Sequence, residues 1–298
     1  MDLSFIVKTN QFQNEIKAFA LGKQSHAYLI EGQSGAGKRS FALSMACTHF
    51  CTGEHKPCFT CPQCKKVLAE NHPDVHFFKP ETSVFKVDKV REILSTVRET
   101  PYEGKVKIYI VEKFNLANDQ AQNAFLKTLE EPPKNVFFLL LCENSLSLLP
   151  TVRSRCKKIF LKPSGKEEIF AFLQKNFPQN ENNQYIASVS QGNIGKAIRL
   201  ITDEDFLKAN EKTQKIVDII KEGKNGDQVF AMLELEDDFL SLLEDKIHAL
   251  FLLEPEKYLL RLKAISDAKS AKKTNVNKTL IHQKLAYELV KGGKKWQK

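Results

Sequence analysis

From residue 1 to about residue 162, short apolar runs alternate with amphipathic stretches, the pattern of a parallel sheet wrapped by helices. Four runs, 27–30, 75–78, 106–111 and 136–141, are rich in β-branched and aromatic residues and end in turn or helix-start residues, so four buried strands are predicted. Between them Val87, Val90, Ile93, Leu94 and Val97 recur at helical spacing. Ala121, Ala124, Phe125, Leu126 and Leu129 do the same, and Pro132-Pro133 ends that helix.

After Pro163 the strand pattern stops. The stretches 164–176, 183–190 and 194–201 predict three short helices, broken by Gln191-Gly192-Asn193. From 205 to 298 the chain is helical again, with Phe230, Leu233, Leu235, Phe239, Leu242, Leu243, Ile247, Leu250 and Phe251 forming a thick apolar stripe. The expected organisation is a sheet-containing core over 1–162, a small helical domain over 163–204 and a helical bundle over 205–298.

Composition changes this picture little: 42% apolar and 27% charged residues over 298 positions describe an ordinary globular chain with a sizeable core. No stretch reaches the roughly 20 apolar residues of a membrane span, and the start lacks a signal-peptide pattern, so a cytoplasmic protein with no membrane partner is expected. Charge is more informative. Residues 254–298 hold 12 Lys and Arg against 4 Asp and Glu, which is eight of the nine net positive charges. A basic terminal run is more often a solvated face than a nucleic-acid contact.

The candidate chemistry begins after the first predicted strand, where Gly32-Gln33-Ser34-Gly35-Ala36-Gly37-Lys38-Arg39 fits G-x4-G-K. Gly32, Gly35 and Gly37 let backbone N–H groups curl around phosphates, and Lys38 would reach the β- and γ-phosphates. The next position should carry a hydroxyl for Mg²⁺ and carries Arg39 instead. The acidic end expected of the run 106–111 is Glu112-Lys113, one carboxylate where the chemistry needs two, and a lysine cannot act as base there. These two defects predict a degenerate nucleotide site at which ATP binds weakly or not at all.

Four of the seven cysteines crowd into Cys51-x6-Cys58-x2-Cys61-x2-Cys64. Soft thiolates on a short excursion suit tetrahedral structural zinc, and no further polar residue is arranged for an open catalytic position. The zinc module spans 47–66. Cys47, one helical turn before Cys51, is the alternative fourth ligand. Beyond the fourth predicted strand and Pro150, Thr151-Val152-Arg153-Ser154-Arg155-Cys156 places cationic side chains just past the sheet.

Asn123-Ala124-Phe125-Leu126-Lys127-Thr128-Leu129-Glu130-Glu131-Pro132-Pro133 resembles the LLKTLEEPP signature of bacterial DNA polymerase III clamp-loader subunits, and Ser154-Arg155-Cys156 resembles their arginine-finger motif. His72-Pro73-Asp74, Val87-Asp88-x2-Arg91 and Asn275-Val276-Asn277 resemble segments of the delta-prime branch, so the resemblance covers the whole chain and is densest over 24–160. It implies an α/β fold: an AAA+ P-loop parallel-sheet domain with a zinc-knuckle insertion, a small helical lid domain and a C-terminal all-α collar domain that oligomerises. It implies a stator that does not turn over ATP alone, with Arg155 offered in trans to ATP held by a neighbouring motor subunit of the tau or gamma type. It also implies a delta subunit, the β sliding clamp and primer-template DNA as partners through the complex. Two further positions agree with a non-motor role: Cys142-Glu143 stands where a sensor threonine is expected, and Gly195 stands where motor subunits carry a sensor arginine. One departure is the six-residue gap between Cys51 and Cys58, shorter than is usual in the family.

Three rivals make different predictions. A motor ATPase would use the Ser40 hydroxyl in place of the one missing at Arg39. A zinc-dependent DNA-binding protein would use the knuckle together with Lys294, Lys295 and Lys298. A pure scaffold would use only zinc and collar, and Arg155 would then be dispensable.

Overall fold

The computed structural model describes residue 3 and residues 10–20, 23–80, 85–222, 226–272, 274 and 276–291. Asn275 and the basic Lys294, Lys295 and Lys298 lie outside the described residues. Two compact units make up the chain, Met1–Ile198 and Arg199–Lys298. The first holds helix α1 (Asn10–Ala20), then β1 (Ala27–Glu31), α2 (Lys38–Phe50), α3 (Pro62–Leu68), β2 (Val75–Phe78) and α4 (Val87–Thr96). It continues with β3 (Lys107–Val111), α5 (Asp119–Glu130), β4 (Val136–Cys142), α6 (Pro150–Arg155) and β5 (Lys157–Phe160). Helices α7 (Lys166–Asn176), α8 (Asn183–Val189) and α9 (Ile194–Thr202) follow, and the division between units falls within α9.

The strands form one parallel sheet in the order β2-β3-β4-β1-β5. Strand period places alternate residues of β4 on opposite faces. Phe137, Leu139 and Leu141 pack with α2 residues such as Phe41 and Met45. Phe138 and Leu140 pack with Val90 and Ile93 of α4 and Phe125 of α5. Every residue of β3 and β4 is buried, as in a strand covered on both sides. All four predicted strands are present within one residue of their expected ends. The fifth, β5, has no counterpart in the apolar pattern, because only Ile159 of its four residues is buried and two lysines begin it.

Local chemistry sets the helix starts. Asn118 caps α5 through its side chain, accepting the Ala121 N–H at 2.9 Å. Proline occupies the first position of α3 and of α6, where its missing N–H costs nothing.

The second unit holds helices α10 (Glu204–Glu222), α11 (Gly226–Met232), α12 (Asp237–Phe251), α13 (Pro255–Lys272) and α14 (Lys278–Lys291) around a core of its own that includes Ile216, Phe239, Leu243, Tyr258, Ile265 and Leu285. The predicted apolar stripe is in this core except for Leu242, which is buried outside it, and Phe230, which is 44% exposed and sets its ring edge-on to His282. Its neighbour Val229 takes the inward position instead. The segment 163–198 lies within the first unit.

Candidate functional site

The phosphate loop joins β1 to α2, as its motif requires. Gly35 and Gly37 have φ of 77° and 88°, a region closed to most L residues, and Gly37 is the N-cap of α2. A cavity of about 280 Å³ opens there, lined among others by Lys38, Arg39, Glu112, Lys113, Glu143 and Gly195. The lining thus brings together the expected Gly35, Gly37 and Lys38 with Arg39, Lys113, Glu143 and Gly195, positions at which the sequence departs from the expected ATPase residues.

Groups that would meet a nucleotide are instead met by the chain. The Lys38 ammonium donates to the carbonyls of Gly32 and Gln33 at 2.7 and 2.8 Å. Burial pulls Lys38 below the ordinary lysine range, and the nearby Glu143 opposes the shift. From the start of α9, Asn193 donates its side-chain amide to the Ser34 carbonyl at 2.5 Å, and the Gly195 N–H donates to the Gly35 carbonyl at 3.0 Å. The fit is close: a Cβ on Gly35 would lie 2.2 Å from Asn193 Oδ1, and one on Gly195 would lie 2.8 Å from Gly35 Cα. Gly195 therefore leaves no room for a sensor side chain while α9 sits on the loop, and the two bonds clasp the start of α9 to the phosphate loop.

The metal position is likewise filled. Arg39, in the first turn of α2, forms ion pairs with Glu112 at the end of β3 and with Glu70 after α3, and Phe77 lies under its guanidinium at 5.5 Å. Lys113 adopts a left-handed conformation at φ 50° beside Glu112. Residues that would hold Mg²⁺ with a nucleotide therefore do not fit that ion: the hydroxyl is replaced and the surviving carboxylate is already paired. At the end of β4, Cys142 is fully buried, its thiol pushed up to about 12 by burial, and its carbonyl accepts the Gly32 N–H at 3.2 Å.

The four cysteines converge. The Sγ atoms of Cys51, Cys58, Cys61 and Cys64 lie within 4.8 Å of one another. Backbone N–H groups point at the sulfurs: Gly53 and Cys58 donate to Cys51, Cys61 to Cys58 and Cys64 to Cys61, at 3.3–3.4 Å. Such donors favour thiolates, and the Thr60 side chain with the Cys61 N–H holds the Cys58 thiol down at about 7. Cys47 stays buried inside α2 and outside the cluster, so the short gap does not keep Cys51 from its place. The donor set fits a four-coordinate zinc ion, which these residues would hold as a structural clamp.

Arg155 ends α6, about a third exposed at 32%. Its guanidinium donates to the Thr151 carbonyl at 2.7 Å and pairs with Glu130 Oε1 at 2.6 Å. The partners of both arginines, Glu70, Glu112 and Glu130, come from elsewhere in the chain. Glu130 stood inside the signature segment with no role attached, and nothing in the pattern around Glu70 marked it. The His72-Pro73-Asp74 segment gains its reason too: the buried Asp74 carboxylate accepts the N–H groups of Tyr102, Glu103 and Gly104 at 2.5–2.8 Å and so fixes the loop before β3.

A five-stranded parallel sheet with a phosphate loop between β1 and α2 and helices on both faces defines an AAA+ P-loop fold. Its overall course matches a DNA polymerase III gamma subunit-related protein from Thermotoga maritima, with a TM-score of 0.52 at 18% identity, over 94% of this chain and 100% of that one. Residues 7–165 match the family model described as DNA polymerase III, delta subunit. The chain is 29% identical to DNA polymerase III subunit delta-prime of Bacillus subtilis over 225 residues, 75% of this chain and 67% of that protein. It is 30% identical to the Escherichia coli subunit of the same name over 200 residues, 65% and 60% of the two chains. The chain belongs to the delta-prime-like family of DNA polymerase III clamp-loader subunits. The match spans about two thirds or less of these relatives' own length. Among the described residues no helix is long and apolar enough to cross a membrane.

Proposed function

We propose that the chain is a non-motor stator of a DNA polymerase III clamp loader, acting in DNA replication to help place the β sliding clamp on primer-template DNA. Its partners in this reading are motor subunits of the tau or gamma type and a delta subunit, gathered through a C-terminal collar, 205–298. The segment 163–204 serves as a lid domain that its own clasp holds on the phosphate loop. The contrast between the two arginines carries the proposal. Arg39 is committed within the chain to two carboxylates, Glu70 and the 20% exposed Glu112, whereas Arg155, equally exposed at about a third, has among the described residues one carboxylate partner, Glu130, itself 48% exposed.

An arginine finger acts by delivering positive charge and planar N–H donors to the oxygens of a phosphoryl group as charge develops there. Arg155 would do so at ATP held by the neighbouring motor subunit, exchanging Glu130 for the γ-phosphate. An exposed ion pair contributes only about 0–1 kcal/mol, so this exchange costs little beside the ~10³ to 10⁵ in rate that such a finger can supply. Zinc held by Cys51, Cys58, Cys61 and Cys64 would fix the loop that follows α2. A motor role using Ser40 is disfavoured because Arg39 would first have to leave two carboxylates.

Reconstituted complex with wild-type or Arg155→Ala chain, measured for ATP hydrolysis and clamp loading beside the isolated chain, tests the proposal. An inert isolated chain and a variant that assembles normally but slows the complex at least tenfold, well within the ~10³ to 10⁵ that a finger can supply, are expected. A silent variant would move the reading to a pure scaffold, and ATP turnover by the lone chain would move it to a motor.

A further inference from the structure

We propose that the Arg39 guanidinium takes the place of the divalent cation in this phosphate-loop site, a built-in counter-ion that keeps the Glu112 end of β3 neutralised without metal or nucleotide. This deepens the non-motor reading and rests on it.

Arg39 occupies the position whose hydroxyl would ligate the metal, and its side chain turns toward the carboxylate that would face that metal. One nitrogen meets Glu112 and another meets Glu70, so a single planar cation bridges acids from two different parts of the chain. The fork geometry of guanidinium suits this bridging, which the point charge of a lysine would not reproduce. Glu112 is only 20% exposed, so this carboxylate is shielded more than that of an ordinary surface pair. The neighbouring cations do not take over the task. Lys79 approaches Glu112 only to 3.9 Å, and Lys38 is turned to the loop carbonyls.

Guanidinium and magnesium differ in one decisive respect. Magnesium accepts oxygen ligands, including phosphate, and arrives with the nucleotide, whereas guanidinium has no open coordination position and never leaves. A chain built this way keeps β3, α2 and the end of α3 drawn together in every state of the complex. The same geometry implies a latent metal site. Replacing Arg39 by a hydroxyl residue would leave Glu112 and Glu70 converging on an empty place beside that hydroxyl, three hard oxygen donors of the kind that bind Mg²⁺.

The test uses the whole isolated chain, with MgCl2 alone as probe and NaCl at matched ionic strength as control. The wild-type melting temperature should not distinguish the two salts. Arg39→Thr should melt about 2–4 °C lower in NaCl, the shift expected in a chain of this size for loss of a partly buried ion-pair bridge, and should regain most of that loss in millimolar MgCl2. Adding Glu70→Gln to Arg39→Thr should remove the magnesium gain. If Arg39→Thr does not fold, Arg39→Gln carries the same comparison with a longer neutral side chain. Wild-type chain stabilised by magnesium as strongly as the variant, or variants with unchanged melting and no magnesium response, would overturn the proposal. ATP turnover by the wild-type chain, measured in parallel, would instead sink the non-motor reading, whatever the magnesium result.

Discussion

Arg39 and Arg155 are the same side chain in two opposite settings, one at each side of β1. Arg39 stands in the first turn of α2 with two carboxylates converging on it from Glu112 and Glu70. Arg155 ends α6 with Glu130 and a local carbonyl for company, both reachable by solvent. An arginine with two acids, one of them the 20% exposed Glu112, is structural, because moving it would strand charge. One with a single exposed acid is available, because its partner can be exchanged for another anion at little cost. The difference lies in the surroundings and not in the residue, and it divides the molecule into a region closed on itself and a region left open.

The sharpest way to break this comparison is Arg155→Ala. In reconstituted complex it should lower ATP hydrolysis at least tenfold with assembly intact, well within the ~10³ to 10⁵ that a trans finger can supply. Next in size is the four-cysteine module, whose helix α3 leads directly to Glu70. The purified chain should carry one zinc per molecule by elemental analysis, and Cys61→Ser with Cys64→Ser should lose the metal and several kcal/mol of unfolding free energy, since metal binding to such a loop is folding free energy. A smaller effect concerns the scaffold between the two sites. Asp74→Ala leaves three backbone donors without their carboxylate, and urea unfolding should show a loss of about 3 kcal/mol.

Acid should act on the closed region behind α2. Burial lowers the His49 pKa to about 4, so the folded state binds this proton less readily than the unfolded chain, whose histidine titrates at its ordinary value. The resulting stability is present above pH about 6.5 and is lost as pH falls from there toward 4. His72 and His76 shift in the same direction, also chiefly by burial. Unfolding free energy should thus decline across this window, and His49→Gln should flatten part of the slope, by on the order of 2 kcal/mol. The smallest expected effect belongs to Glu130→Gln. Weakening the cis partner of Arg155 should raise ATPase of the complex no more than about fivefold, the worth of an exposed pair. A large fall instead would mean that Glu130 positions the arginine rather than merely holding it.

Much of this was legible in the residues. Strands β1, β3 and β4 follow from apolar runs because a strand covered on both faces admits nothing else; the edge strand β2 still buries Val75 and Phe78, whereas the other edge strand, β5, buries one residue and carries no such run. Phe230 misled for a related reason: helical spacing names a face, and packing chose Val229 for it. Cysteine spacing singled out four thiols with Cys47 as a competitor, and only the fold, by leaving Cys47 inside α2, brought Cys51 to the other three.

The sequence by itself determined the phosphate loop, the missing hydroxyl at Arg39, the lysine at 113, the cysteine module and the arginine at 155, because each is a matter of which chemical group stands at which place in a motif. Tertiary structure alone decided which neighbours those groups meet. It brought Glu70 and Glu112 to one arginine and Glu130 to the other, and it laid Asn193 and Gly195 on the loop so closely that Gly195 has no space for a side chain. Charge and shape are properties of neighbourhoods, and residues far apart in the chain become neighbours only when the sheet folds.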